Sequence, residues 1–219
     1  IDLTGSGARR VGSVMLSQPV ATAGLEFSTS FVFDRDTLSN EIPNIGLPDD
    51  PFVDNPAGRG LAFVITNNPD AQPTGNFGLP DPAEARSLAV VYSASNRTFR
   101  LVRDGDFDSP IDSTGLFGIF DPELAIEHRM WVDYADGVLS VSMFRTGFDR
   151  PNRVLVDAEI DLAAEFGPDV YFGIAASNGL TPLTNAGTVN AWSFQLPGGM
   201  APEPVLETAF DDNRLNGDA

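Results

Sequence analysis

The chain has 219 residues, no Cys and a formal charge of −18. That length suits one large all-β sandwich or two small domains, and it can bury a core without covalent staples. The lack of Cys excludes disulfides, thiol catalysis and Cys-based zinc or redox sites, and a negative field disfavours nucleic acid.

Residues 25–33 open the run of expected strands. Leu25, Phe27, Phe31 and Phe33 share one face of a period-two stretch, with Glu26, Ser28 and Ser30 opposite. Leu61, Phe63 and Ile65 follow, then Leu88, Val90 and Tyr92, then Phe99 and Leu101. Met130, Val132 and Tyr134 alternate with Trp131 and Asp133, and Leu139, Val141 and Met143 make the next set. Val154, Val156 and Ile160 continue the alternation. Val170 to Ala176 reads as a buried strand, and Val189 to Leu196 as the last. Such runs, separated by turn signals, predict an all-β sandwich or barrel. Asp136-Gly137 between two alternating runs predicts a tight hairpin. Helix is expected only as single turns at Asp121 to Glu127 and Leu162 to Phe166.

Leu38 to Gly58 and Thr66 to Arg86 are rich in Pro, Asn, Asp and Gly and read as long loops, a kind of segment that often carries function. After Leu196 the stretch PGGMAPEP changes character. Residues 1–196 are therefore expected to form the sandwich, and 197–219 a linker or C-terminal extension. No run of about 18 apolar residues occurs, so no membrane-spanning helix is expected.

Seven segments, in order, resemble the legume-type (L-type) lectin family: EFSTSFVF from Glu26, GLAFVI from Gly60, GNFGL from Gly75, SLAVVY from Ser87, HRMWVDYADGVLSV from His128, VYFGIAAS from Val170 and AWSF from Ala191. The resemblance spans Val11 to Leu196. It implies a two-sheet antiparallel jelly roll of the concanavalin A-like kind, with a flat back sheet, a curved front sheet and a shallow sugar site at the front loops. It also implies a carbohydrate-binding module rather than an enzyme, extracellular or at a cell surface, with a glycan or polysaccharide as partner. A larger multidomain secreted protein is its expected context, and a bacterial or other non-plant member its expected source.

The departures from that family are specific. Its first-loop Asp, which accepts hydrogen bonds from sugar hydroxyls, is matched by Arg59, a donor only. Its metal-binding Glu and Asp are matched by Val91 and Ser93, and its metal-binding His has only Thr98 and Phe99 in its region. The inherited Mn²⁺/Ca²⁺ site is therefore expected to be absent. A rebuilt sugar site would draw on Arg59, Gly75, Asn76, Asn96 and Asn178, since amides both donate and accept. The guanidinium at Arg59 suits an acidic sugar such as a uronic acid; pairing with Asp54 or Asp70 is the plainer reading.

Asp104, Asp106 and Asp108 alternate along a turn, which suits either a Ca²⁺ site or ordinary turn chemistry. All 13 basic residues are Arg, and 22 of the 31 acidic residues are Asp. A solvated surface suited to salty water would look the same as Asp-rich cation loops. His128, the single His, reads as a surface or structural residue, and Trp131 and Trp192 as core or sheet-face residues. A glycosidase would need two carboxylates held about 5–9 Å apart; Glu26, Asp133 and Glu159 each stand alone. A lectin-like adhesion or assembly domain that no longer binds sugar is the main alternative.

Overall fold

The computed structural model describes residues 11–34, 59–74, 77–93, 98–115, 127–178, 189–197 and 207–208. Its strands in chain order are β1 (Val11–Met15), β2 (Val20–Ala21), β3 (Phe27–Asp34), β4 (Arg59–Thr66), β5 (Ser87–Ser93), β6 (Thr98–Arg103) and β7 (Asp112–Gly115). Then come β8 (Glu127–Ala135), β9 (Val138–Arg145), β10 (Val156–Glu159), β11 (Asp169–Asn178), β12 (Val189–Gln195) and β13 (Glu207–Thr208). One short helix, α1 (Leu162–Phe166), precedes β11.

Among the described residues the strands form two antiparallel sheets. The larger has eight strands in the order β13-β1-β11-β4-β5-β6-β7, with β2 also paired to β11. The smaller has five, in the order β10-β9-β8-β3-β12. Neighbours in space are often distant in sequence, because the chain passes back and forth between the sheets as a jelly roll requires.

The period-two pattern explains the layering. Phe27, Phe31 and Phe33 from β3 meet Leu61, Phe63 and Ile65 from β4, with Leu88, Val90, Met130, Val132, Leu139, Val141, Phe172 and Ile174, in one core between the sheets. Phe27 sits at its centre, with ring centroids 4.8 Å from Phe172 and 5.5 Å from Phe194. The Asp136-Gly137 hairpin forms as its sequence predicts. Both residues take positive φ, 52° and 78°, and Ala135 pairs with Val138 across the turn.

Three local expectations need correction. Val154 is one of the exposed large hydrophobics: the chain enters β10 only at Val156, so the alternation before it belongs to a Pro- and Asn-containing approach. Glu127 starts strand β8 rather than ending a helical turn, and residues 121–126 lie outside those described. His128 is buried, beside the Phe33 ring at 5.9 Å, so the surface half of its reading fails. Within the segment expected as an extension, β13 pairs with the outer edge of β1 through Val14–Thr208 and Met15–Glu207.

Candidate functional site

The registers bring one end of the eight-stranded sheet into focus. A single row crosses it through Val11, Ser177, Gly60, Ser93, Thr98 and Gly115. One step further out, Arg59 pairs with Asn178. Two candidate sugar-binding residues over a hundred positions apart in sequence thus stand side by side on adjacent strands. Ser93 and Thr98 bracket residues 94–97, which include Asn96, and Thr74 and Phe77 bracket Gly75 and Asn76. Gly75, Asn76 and Asn96 themselves lie outside the described residues. So do Asp54 and the rest of the first long loop.

Gly60 explains how the second loop reaches this end. A Cβ there would lie 2.0 Å from the Tyr92 carbonyl oxygen and 2.6 Å from the Phe77 ring. Only glycine lets Phe77 press against β4. Phe77 is fully buried, although its backbone holds φ at +58°. The left-handed region costs a side-chain-bearing residue about 1–2 kcal/mol. Burial of a phenyl ring contributes about 1.5–3 kcal/mol, enough to hold it there.

Around Phe77 a second core covers the outer face of the large sheet. Ala62, Val64, Ala89, Val91, Val102 and Ala175 meet Phe77 and Leu79 from the loop. The loop closes on itself: Thr74 N–H donates to the Leu79 carbonyl at 2.7 Å, and Gly78 N–H donates to the Thr74 carbonyl at 3.2 Å. Pro73 and Pro80 form a bridge at its base. Gly78, at φ +69°, lies so close to β11 that a Cβ would meet the Ala176 carbonyl oxygen at 2.9 Å.

The Asp104–Asp108 turn faces the same core. Its ring, Phe107, stands 5.3 Å from Phe77. The Asp104 carboxylate accepts from Ser87 N–H at 2.7 Å, and that of Asp106 accepts from the N–H groups of Asp108 and Ser109 at 3.0 and 3.1 Å. These carboxylates shape the turn that presents Phe107. Among the described residues no three His, Asp or Glu side chains are grouped so as to share a cation, Asp104, Asp106 and Asp108 included.

The positions matched to the resembled family's metal ligands are also expected to lack a cation. Val91 is 1 % exposed within the apolar outer core and offers no donor atom. Among the described residues the buried Ser93 hydroxyl has no hydrogen-bond partner, and a hydroxyl is a weak ligand for a hard cation compared with a carboxylate. The described residues at these positions do not fit the family's metal pair. The role of Phe77 escaped the sequence reading. Its one trace was Phe77 and Leu79 two apart in an otherwise polar loop.

Asp133 is committed elsewhere. It accepts from the Ser28 hydroxyl at 2.6 Å and forms an ion pair with Arg150. Trp192 donates its indole N–H to the Thr29 hydroxyl, and Trp131 lies on the outer face of the small sheet under Arg129.

A two-sheet sandwich with this strand order and a loop-bearing end over the larger sheet is a lectin-type jelly roll, of the concanavalin A-like kind. Comparison with known proteins agrees. The chain is 26% identical, over 98% of its length, to the probable inactive L-type lectin-domain containing receptor kinase III.1 of Arabidopsis thaliana. It spans about a third of the length of the curated relatives it matches. The fold is that of arcelin-5, a lectin-like defense protein from Phaseolus vulgaris (TM-score 0.60, 21% identity, 88% of this chain and 84% of that one). It is equally that of the VIP36 exoplasmic/lumenal domain in a Ca²⁺/Man3GlcNAc-bound form (TM-score 0.59, 14% identity, 88% and 76%). No protein-family model matches the chain. The sandwich corresponds to the lectin part of the receptor kinases, not to their kinase part.

Proposed function

We propose that this chain is a carbohydrate-binding module whose sugar site, at the loop end of the eight-stranded sheet, is rebuilt around Arg59, Gly75, Asn76, Asn96 and Asn178. The observation that carries this reading is the pairing of Arg59 with Asn178 beside the Gly60–Phe77 contact. It joins the first loop, the second loop and the β11 loop at one edge. Arg59 replaces an acceptor with a forked donor, so the favoured ligand is an acidic glycan, with a uronic acid as the simplest case. The module works outside the cell or at its surface, as one part of a larger protein, and its source is bacterial or otherwise non-plant. A lectin-domain containing receptor kinase and an exoplasmic/lumenal domain among its likenesses support the setting.

A second reading has an observation of its own. Val91, Ser93 and Arg59 stand where the resembled family keeps carboxylates, which favours an adhesion or assembly domain without sugar binding. The hydrolase alternative gains no support, since Asp133 is held by Arg150 and Ser28.

An array of acidic and neutral polysaccharides separates these readings. The first expects retention of acidic glycans and at least a roughly tenfold loss with Arg59→Ala, the equivalent of a charge-assisted hydrogen bond of about 1.5–3 kcal/mol. Unchanged binding of every acidic glycan by Arg59→Ala sinks the acidic-sugar reading. No binding of any glycan favours the adhesion domain. Release of reducing ends from mixed polysaccharides would revive the hydrolase.

A further inference from the structure

We propose that an apolar clamp, Phe77 seated on Gly60 and backed by Phe107, fixes the second loop without a divalent cation, so that ligand binding at this end is metal-independent. In the resembled family, metal ions stand at the strand positions matched here by Val91 and Ser93. Val91 instead forms the floor of the outer core beneath Phe77. The ring above it is fully buried, and Gly60 has no Cβ to hold it off. Phe107 packs against the ring at 5.3 Å, on a turn in which the Asp104 and Asp106 carboxylates accept from backbone N–H groups. In sequence, Gly75 and Asn76 fall between Thr74, which bonds to the Leu79 carbonyl, and Phe77.

Phe77 is therefore a positioning residue that acts through the loop it carries. The clamp follows from packing alone. Its consequence for ligand binding rests on the carbohydrate reading above, and the test keeps the two apart.

Hydrogen exchange is followed by mass spectrometry in peptides covering 73–80, on metal-stripped protein in EDTA and again with millimolar calcium and manganese. The clamp predicts slow exchange at the Thr74 and Gly78 amides under both conditions and no rise in Tm on adding metal beyond that given by sodium chloride at the same ionic strength. In Phe77→Ala these amides exchange about tenfold faster or more, with Phe77→Leu intermediate, while β8–β9 peptides exchange as in the unmodified chain. Should Phe77→Ala fail to fold, Phe107→Ala, which removes the half-buried member of the ring pair, is read in the same way. Metal that slows exchange in 73–80, or raises Tm more than sodium chloride does at the same ionic strength, overturns the proposal. So does a Phe77→Ala or Phe107→Ala chain whose loop exchanges unchanged. These readouts need no glycan, so they hold or fail even if the array finds none. Where it finds one, retention in EDTA is expected, and binding that requires calcium contradicts the clamp.

Discussion

A methyl group on Gly60 would collide with the backbone of β5 and with the Phe77 ring together. Neither neighbour can withdraw cheaply, because one is a sheet carbonyl and the other a buried ring. Gly60→Ala should therefore sit at the upper end of overpacking costs, about 3 kcal/mol. A urea midpoint shift worth less than 1 kcal/mol would mean that the contact is not as tight as described. Tyr134 offers a second check. Its hydroxyl donates to the Ile160 carbonyl at 2.8 Å within the core. Tyr134→Phe should cost about 1–2 kcal/mol with no change in denaturant slope. Single residues were only partly legible in the sequence. Arg59, Val91 and Ser93 stood out as departures from the resembled motifs around them. Phe77 did not, because what makes it matter is a contact with Gly60, 17 positions earlier, and another with Phe107, 30 positions later.

Strands β3, β8 and β9 were legible as elements because each buries alternate residues against the other sheet and so carries the period in its sequence, and β4, β5 and β11 because they are short apolar runs, buried on both faces. Val154 misled for the same reason: apolar alternation continues past the point where pairing stops. The order of strands within the sheets was not readable from periodicity. It is fixed by long-range pairing such as β11 between β1 and β4, and only the ordered motifs hinted at it. The Asp104–Asp108 turn shows how one pattern serves two chemistries. Spacing alone allowed a cation loop, whereas in three dimensions the carboxylates of Asp104 and Asp106 face backbone N–H groups. At this scale α1 is tied down by Glu165, which binds Arg86 at 3.0 Å and Arg103 at 2.5 Å. Both arginines are over 40% exposed, so solvent screens the pair. Glu165→Gln should cost no more than about 1 kcal/mol, and the difference from the unmodified chain should shrink in high salt. A loss that persists at molar salt would point to packing instead of charge.

The whole molecule carries −18 on 219 residues. Self-repulsion at that density weakens the folded state and is relieved by screening. Thermal unfolding should therefore move upward with sodium chloride, and equally with potassium chloride. A Tm that falls with salt would contradict this. The same field makes an acidic glycan an unusual ligand unless an Arg stands at the site, which gives Arg59 its weight. The strand ends that bound residues 35–58, 94–97 and 179–188 meet at one edge of the sandwich: Phe33 and Val189 pair there, Ser93 and Gly60 pair there, and Asn178 pairs with Arg59. Strand ends far apart in sequence thus stand together by topology, with Phe77 seated beside Gly60. The most direct test of this account is a glycan array probed with metal-stripped protein in EDTA beside the same protein in calcium. The account predicts that acidic glycans are retained equally in both and lost with Arg59→Ala. Retention only in calcium, or no retention in either, would contradict it.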